Sequence, residues 1–261
     1  MLYTNSGYGL NGLFKSTNGG VDWDPVWPPP AQPELAKNFT YNFANVLAMD
    51  PEDHLHLLLT FHEGCLPPNN DMCIVESTDG GTTWRLMSGD PSWSGSEGQV
   101  IFFLDNRHTW LWGSQTNGFW RTEDSGASWK PIKGMTTSHL QGSQVYRRGD
   151  GTFFVAAAAD GVWRSPDGKV DTWRLVPNTG PIGGGIVSDG TTMYFSNCYF
   201  GEFCQPTAQP YFTSPENDGD TWTRLTNVPN MSQGGNLGID RAHHVLYSSN
   251  LHAGFWRYVT Q

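Results

Sequence analysis

Basic residues are scarce in this chain. Its 261 residues hold 15 Lys and Arg against 25 Asp and Glu, a formal net charge of −10. Such a chain has no broad basic face, so nucleic acid is not an expected partner, and anionic membrane surfaces and strongly anionic polymers are disfavoured. No apolar run reaches the roughly 18 residues of a membrane-spanning helix, so no span is expected. Met1 to Ser6 has neither the basic stretch nor the apolar core of a signal peptide, and none is visible there. No amphipathic run is long enough for a major helix. Cysteine is limited to Cys65, Cys73, Cys198 and Cys204, in two close pairs. Neither pair has the C-x-x-C spacing of a zinc site, and no metal or cofactor is expected. Two local disulfides are expected, Cys65–Cys73 and Cys198–Cys204, which places the protein in an extracellular or periplasmic compartment.

Glycine and tryptophan are abundant, with 31 and 12 copies. Many short strands joined by glycine turns fit that composition. One turn recurs five times. Ser77-Thr78-Asp79-Gly80-Gly81-Thr82-Thr83-Trp84 is the clearest copy. Short polar side chains bond backbone N–H groups inside such a loop, and glycine takes positive φ there without steric cost. Its relatives begin at Ser16, Thr122, Ser165 and Ser214 and end at Trp23, Trp129, Trp173 and Trp222. The starts are 43 to 61 residues apart, about the length of a four-stranded propeller blade.

These turns resemble the Asp-box (BNR) repeats of sialidase-like β-propellers. The box also occurs in sortilin-type receptor domains, xyloglucan-active hydrolases and a photosystem assembly factor. The resemblance implies an all-β propeller of four-stranded antiparallel blades, each box joining a third strand to a fourth. It also implies a structural role for Asn18, Asp79, Asp124, Asp167 and Asp218. Six blades fit the spacing and seven stay open. The reading is one domain over residues 1–261, with the first blade lacking its first strand and the last blade its fourth. A sialidase proper is not expected, because no Arg-Ile-Pro occurs and the arginines weighed, Arg147 and Arg148 among them, map away from the central funnel.

In enzymes of the resembled families the functional face lies opposite the boxes. Here that face carries the long loops and both cysteine pairs. The candidate ligand-binding residues on it are His62, Trp93, Gln99, Asn117, Gln144, Tyr199, Asn236 and His252. Amides supply paired donors and acceptors, and aromatic faces stack on sugars. Trp93, Tyr41 and Tyr199 are expected to be exposed as that platform. Two carboxylates must flank a scissile glycosidic bond; Glu97 is the candidate acid, with Glu63 and Glu202 as partners. His139 is a candidate base. His54, His56, His108, His243 and His244 read as solvated turn residues. The leading function is recognition of a glycan or protein. The alternative is a glycoside hydrolase or polysaccharide lyase in the same funnel, and a third reading is a non-catalytic assembly scaffold. Oligomeric state stays open.

Overall fold

A computed structural model describes residues 1–6, 12–39, 44–61, 65–67, 72–95, 100–105, 107–135, 144–158, 160–180, 183–197, 211–228, 234–250 and 254–260. The fold is all-β, a six-bladed β-propeller of small antiparallel sheets. The chain divides into two compact units, Met1–Pro131 and Ile132–Gln261.

The first unit holds three sheets. β1 (Leu2–Ser6), β2 (Gly12–Ser16) and β3 (Asp24–Trp27) form the first, and a short 3-10 helix, Leu35–Asn38, follows. β4 (Ala44–Met49), β5 (Leu57–Phe61), β6 (Cys73–Ser77) and β7 (Arg85–Ser88) form the second. β8 (Val100–Phe103), β9 (Trp110–Ser114), β10 (Gly118–Thr122) and β11 (Lys130–Pro131) form the third. The Leu57-Leu58-Leu59-Thr60-Phe61 strand is buried along its whole length, as a continuous apolar run must be when sheets cover both its faces. Trp27, Phe39, Phe61 and Trp84 interlock beside it, Trp27 lying 5.1 to 5.8 Å from the other three rings. Cys65 and Cys73 are joined by a disulfide, as expected. It fastens the segment at Cys65, which pairs with Phe39, to the start of β6. The Cys198–Cys204 expectation lies outside the described residues.

The second unit also holds three sheets. They are β12 (Val145–Arg147) to β15 (Arg174–Leu175), with β13 (Phe153–Ala158) and β14 (Gly161–Ser165) between; β16 (Gly183–Ser188) to β19 (Thr223–Arg224), with β17 (Thr192–Asn197) and β18 (Tyr211–Pro215) between; and β20 (Gly234–Asp240), β21 (Val245–Asn250) and β22 (Gly254–Val259). Among the described residues the first and last sheets of the chain have three strands and the others four, the pattern expected from the spacing.

Each recurring turn closes on itself through its first hydroxyl. Gly20, Gly81, Gly126, Gly168 and Gly219 donate their backbone N–H to Ser16, Ser77, Thr122, Ser165 and Ser214 at 2.7 to 3.1 Å. All five glycines have positive φ, between 71° and 91°, which no residue with a Cβ adopts cheaply. In four turns the residue two places after the hydroxyl is the second clasp. Asn18, Asp79 and Asp124 accept the backbone N–H of Asp22, Thr83 and Ser128, and Asp167 accepts the hydroxyl of Thr172. The fifth turn differs. The residue two places after Ser214 is Glu216, whose carboxylate bonds to Tyr146 and Ser188 instead. Asp218, expected to play the box role, accepts only from the N–H of Asp220 in its own turn.

One histidine expectation is overturned. His56 is 2% exposed, not solvated. It ends a tight turn after Asp50, and pairing of β5 with β6 brings Glu76 alongside. Its Nδ1 lies 3.2 Å from Asp50 and its Nε2 3.0 Å from Glu76.

Candidate functional site

Four turns of the second unit line an open cavity of about 790 Å³. Tyr146 and Arg148 come from β12 and its exit, with Gly149 and Asp150 in the turn toward β13. Gly190 and Thr191 come from the turn between β16 and β17, Pro215 to Asn217 from the fifth recurring turn, and Arg241 from the turn between β20 and β21. These are first-to-second-strand turns plus a box turn, the side that sequence reasoning set aside in favour of the opposite loops.

Glu216 is fixed at both oxygens. The Tyr146 hydroxyl donates to Oε1 and the buried Ser188 hydroxyl to Oε2, both through short bonds. Burial and the bond to Glu216 push the Tyr146 phenol above its usual range, so it stays a donor at neutral pH. Arg148 is saturated. Its Nε and Nη2 reach Asp150 at 2.9 and 2.6 Å, and Nη1 reaches the carbonyl of Glu216 at 2.9 Å. The same guanidinium holds the Asp150 carboxyl far below its usual range, so Asp150 carries no proton to donate at physiological pH. Arg241 differs from Arg148. Its Nε donates to the Ser188 carbonyl at 2.9 Å. Its two Nη groups have no hydrogen-bond or ion-pair partner among the described residues. The result is an oriented guanidinium with donors to spare, next to a fixed carboxylate. That arrangement presents hydrogen-bond donors and acceptors to a polar ligand.

The residues expected from the sequence fare differently. Glu97, His139, Glu63, Glu202, His62, Gln99, Tyr199, His252 and Tyr41 lie outside the described residues. Trp93 is a correction. Its ring is 4% exposed and stacks on Trp112 at 3.5 Å, so it is core and not a platform. Asn117 donates to the Ser94 carbonyl at 2.8 Å and accepts the Ser94 N–H at 3.0 Å, tying two loops together. Gln144 accepts from the N–H of Ile186 and Leu237 and donates to the Leu237 carbonyl. It stitches β12 to β16 and β20 through both ends of its amide. Asn236 is exposed on β20. The described members of the expected set therefore do not converge, and Tyr146, Glu216 and Arg241 were missed. Among the described residues no cluster of three metal-ligating side chains is present.

No family model matches this chain. A Paenibacillus xyloglucanase is 28% identical over 213 residues, 66% of this chain and 20% of that protein. The xyloglucanase Xgh74A of Acetivibrio thermocellus is 26% identical over 228 residues, 72% of this chain and 26% of that protein. The chain thus spans about a fifth to a quarter of the length of these relatives. Among solved structures, the Niastella koreensis GH74 enzyme matches 98% of this chain and 41% of its own at TM-score 0.70 and 20% identity. YCF48 bound to D1 peptide matches 97% of this chain and 74% of its own at TM-score 0.61 and 14% identity. The fold is common to both.

Proposed function

We propose that this chain is a carbohydrate-active propeller whose substrate is a neutral β-glucan of the xyloglucan kind, cleaved by hydrolysis. The observation that carries this is the sequence likeness to two xyloglucanases over 66% and 72% of the chain. The net charge of −10 is consistent with a neutral polymer. The Cys65–Cys73 disulfide supports action outside the cytosol. Glu97 is the proposed acid and Glu63 or Glu202 its carboxylate partner, with His139 as the alternative base; two carboxyl groups about 5–10 Å apart are what such cleavage needs. Recognition without cleavage is the second reading. It is favoured by the described cavity, where Asp150 is held ionised and both oxygens of Glu216 accept from hydroxyls.

A polysaccharide panel decides between them. New reducing ends should appear with xyloglucan and fall at least about 100-fold in Glu97→Gln, the size of an acid-catalysis contribution. Ultraviolet-absorbing unsaturated products would point to a lyase. Retained binding with no products leaves the recognition reading, and neither binding nor products with any polysaccharide ends the carbohydrate assignment.

A further inference from the structure

The fifth recurring turn breaks the rule of the other four, and the break is directed. Asn18, Asp79, Asp124 and Asp167 close their own turns. Glu216, at the equivalent place, carries one more methylene and turns outward to Tyr146 and Ser188. It meets a cavity of about 790 Å³, within the size range of small-molecule sites. On the same wall, Arg241 is anchored by Nε to Ser188 and keeps its Nη donors uncommitted among the described residues. Arg148 is neutralised by Asp150 and held by the Glu216 and Asp218 carbonyls. It shapes the wall and leaves Arg241 as the cation with bonds to offer.

We propose that this cavity binds a uronic acid, its carboxylate on the Arg241 guanidinium and its hydroxyls toward Glu216 and the Thr191 and Asn217 side. A planar guanidinium with both Nη groups free matches a carboxylate bidentately. The rest of the lining mixes hydroxyl, amide and carboxylate groups with apolar surface from Tyr146, Pro215 and the glycines, which suits a sugar, whose ring has both hydroxyls and C–H faces. One carboxylate is matched by Arg241. A polyanion would meet Glu216, Asp150 and a net charge of −10. The site is therefore selective for isolated acidic sugars, such as a side-chain uronate on an otherwise neutral glycan. It rests on the preceding reading only in taking the ligand to be a sugar; the carboxylate seat stands on geometry.

Titration of the intact chain with sodium glucuronate, glucose and sodium acetate, followed by calorimetry or NMR, tests the assignment. Glucuronate should bind at least about tenfold more tightly than glucose or acetate, a difference of about 1.4 kcal/mol. In Arg241→Gln that preference should vanish. Arg241→Lys keeps the charge but not the fork and should fall between. Circular dichroism reports whether each variant is folded, and the lysine variant carries the comparison if the glutamine variant is not. Equal affinity for glucuronate and glucose overturns the proposal, as does an Arg241→Gln protein with its preference intact. Acetate binding as tightly as glucuronate overturns the sugar half. Loss of xyloglucan activity in all proteins with glucuronate binding retained would sink the hydrolase reading and leave this site standing.

Discussion

At His56 both ring nitrogens face carboxylates, Asp50 at 3.2 Å and Glu76 at 3.0 Å. A neutral imidazole has one donor, so one carboxylate would meet a lone pair. Burial opposes the charge, but the bonds to Glu76 and Asp50 outweigh it and raise the His56 pKa. Glu76 is also desolvated, yet His56 and Arg85 together hold its carboxyl below the ordinary range. The sign follows. A raised histidine adds stability that is whole below its unfolded pKa of about 6.5 and is lost as pH rises through the folded value. The glutamate adds stability above about 4.3 that is lost on acidification. Urea unfolding monitored in the Met1–Pro131 unit should therefore show stability falling as pH rises above about 6.5. His56→Gln should remove that slope and cost about 3 kcal/mol, the scale of breaking a buried charged pair. A wild-type profile that is flat or rising from about pH 6.5 to 9 would contradict the charged-imidazole account. No sequence motif marked this residue, because Asp50 reaches it across a tight turn and Glu76, twenty positions on, through strand pairing.

The recurring turn is the element on which the architecture repeats, and its parts differ in what they hold. Asp79 accepts the backbone N–H and hydroxyl of Thr83 and the hydroxyl of Ser77. Asp79→Ala should cost about 1–2 kcal/mol, the scale of a few hydrogen bonds lost at a half-buried site. Glu216→Ala should leave the fifth turn closed through Ser214 and Gly219, its cost of about 1–3 kcal/mol coming from the hydroxyls of Tyr146 and Ser188 left without their acceptor. Thermal melts in a Tyr146→Phe background check this; a Glu216→Ala loss of the same size there as in the native chain would mean that Glu216 is a turn residue after all. The turns were legible because everything they need is local: a hydroxyl, a glycine and a tryptophan within eight or nine residues. The cavity was not, because it is assembled from four turns between Arg148 and Arg241, each ordinary alone. One signal was present. Glutamate stands at position 216 where the other turns carry aspartate or asparagine, and the longer side chain leaves its own loop.

At the scale of the molecule, three sheets fall in each unit. The all-β class and the strand count were readable from glycine, tryptophan and spacing, since burial on both sides of short strands leaves few other solutions. Which aromatic residues face solvent was not readable. Trp93 sits in a loop rich in serine and glycine, yet Trp112, Trp120 and Trp129 surround it. That pair of indoles, 3.5 Å apart and within 7° of parallel, has an optical consequence. Transition dipoles so close couple, and the circular dichroism of the native protein should carry a split tryptophan band that Trp112→Phe weakens, Trp120 and Trp129 remaining beside Trp93; an unsplit native band would argue that the rings do not stack in solution. In the other unit Trp173 and Trp222 each face a phenylalanine instead. The band is thus a built-in spectroscopic label for melting of one half of the chain.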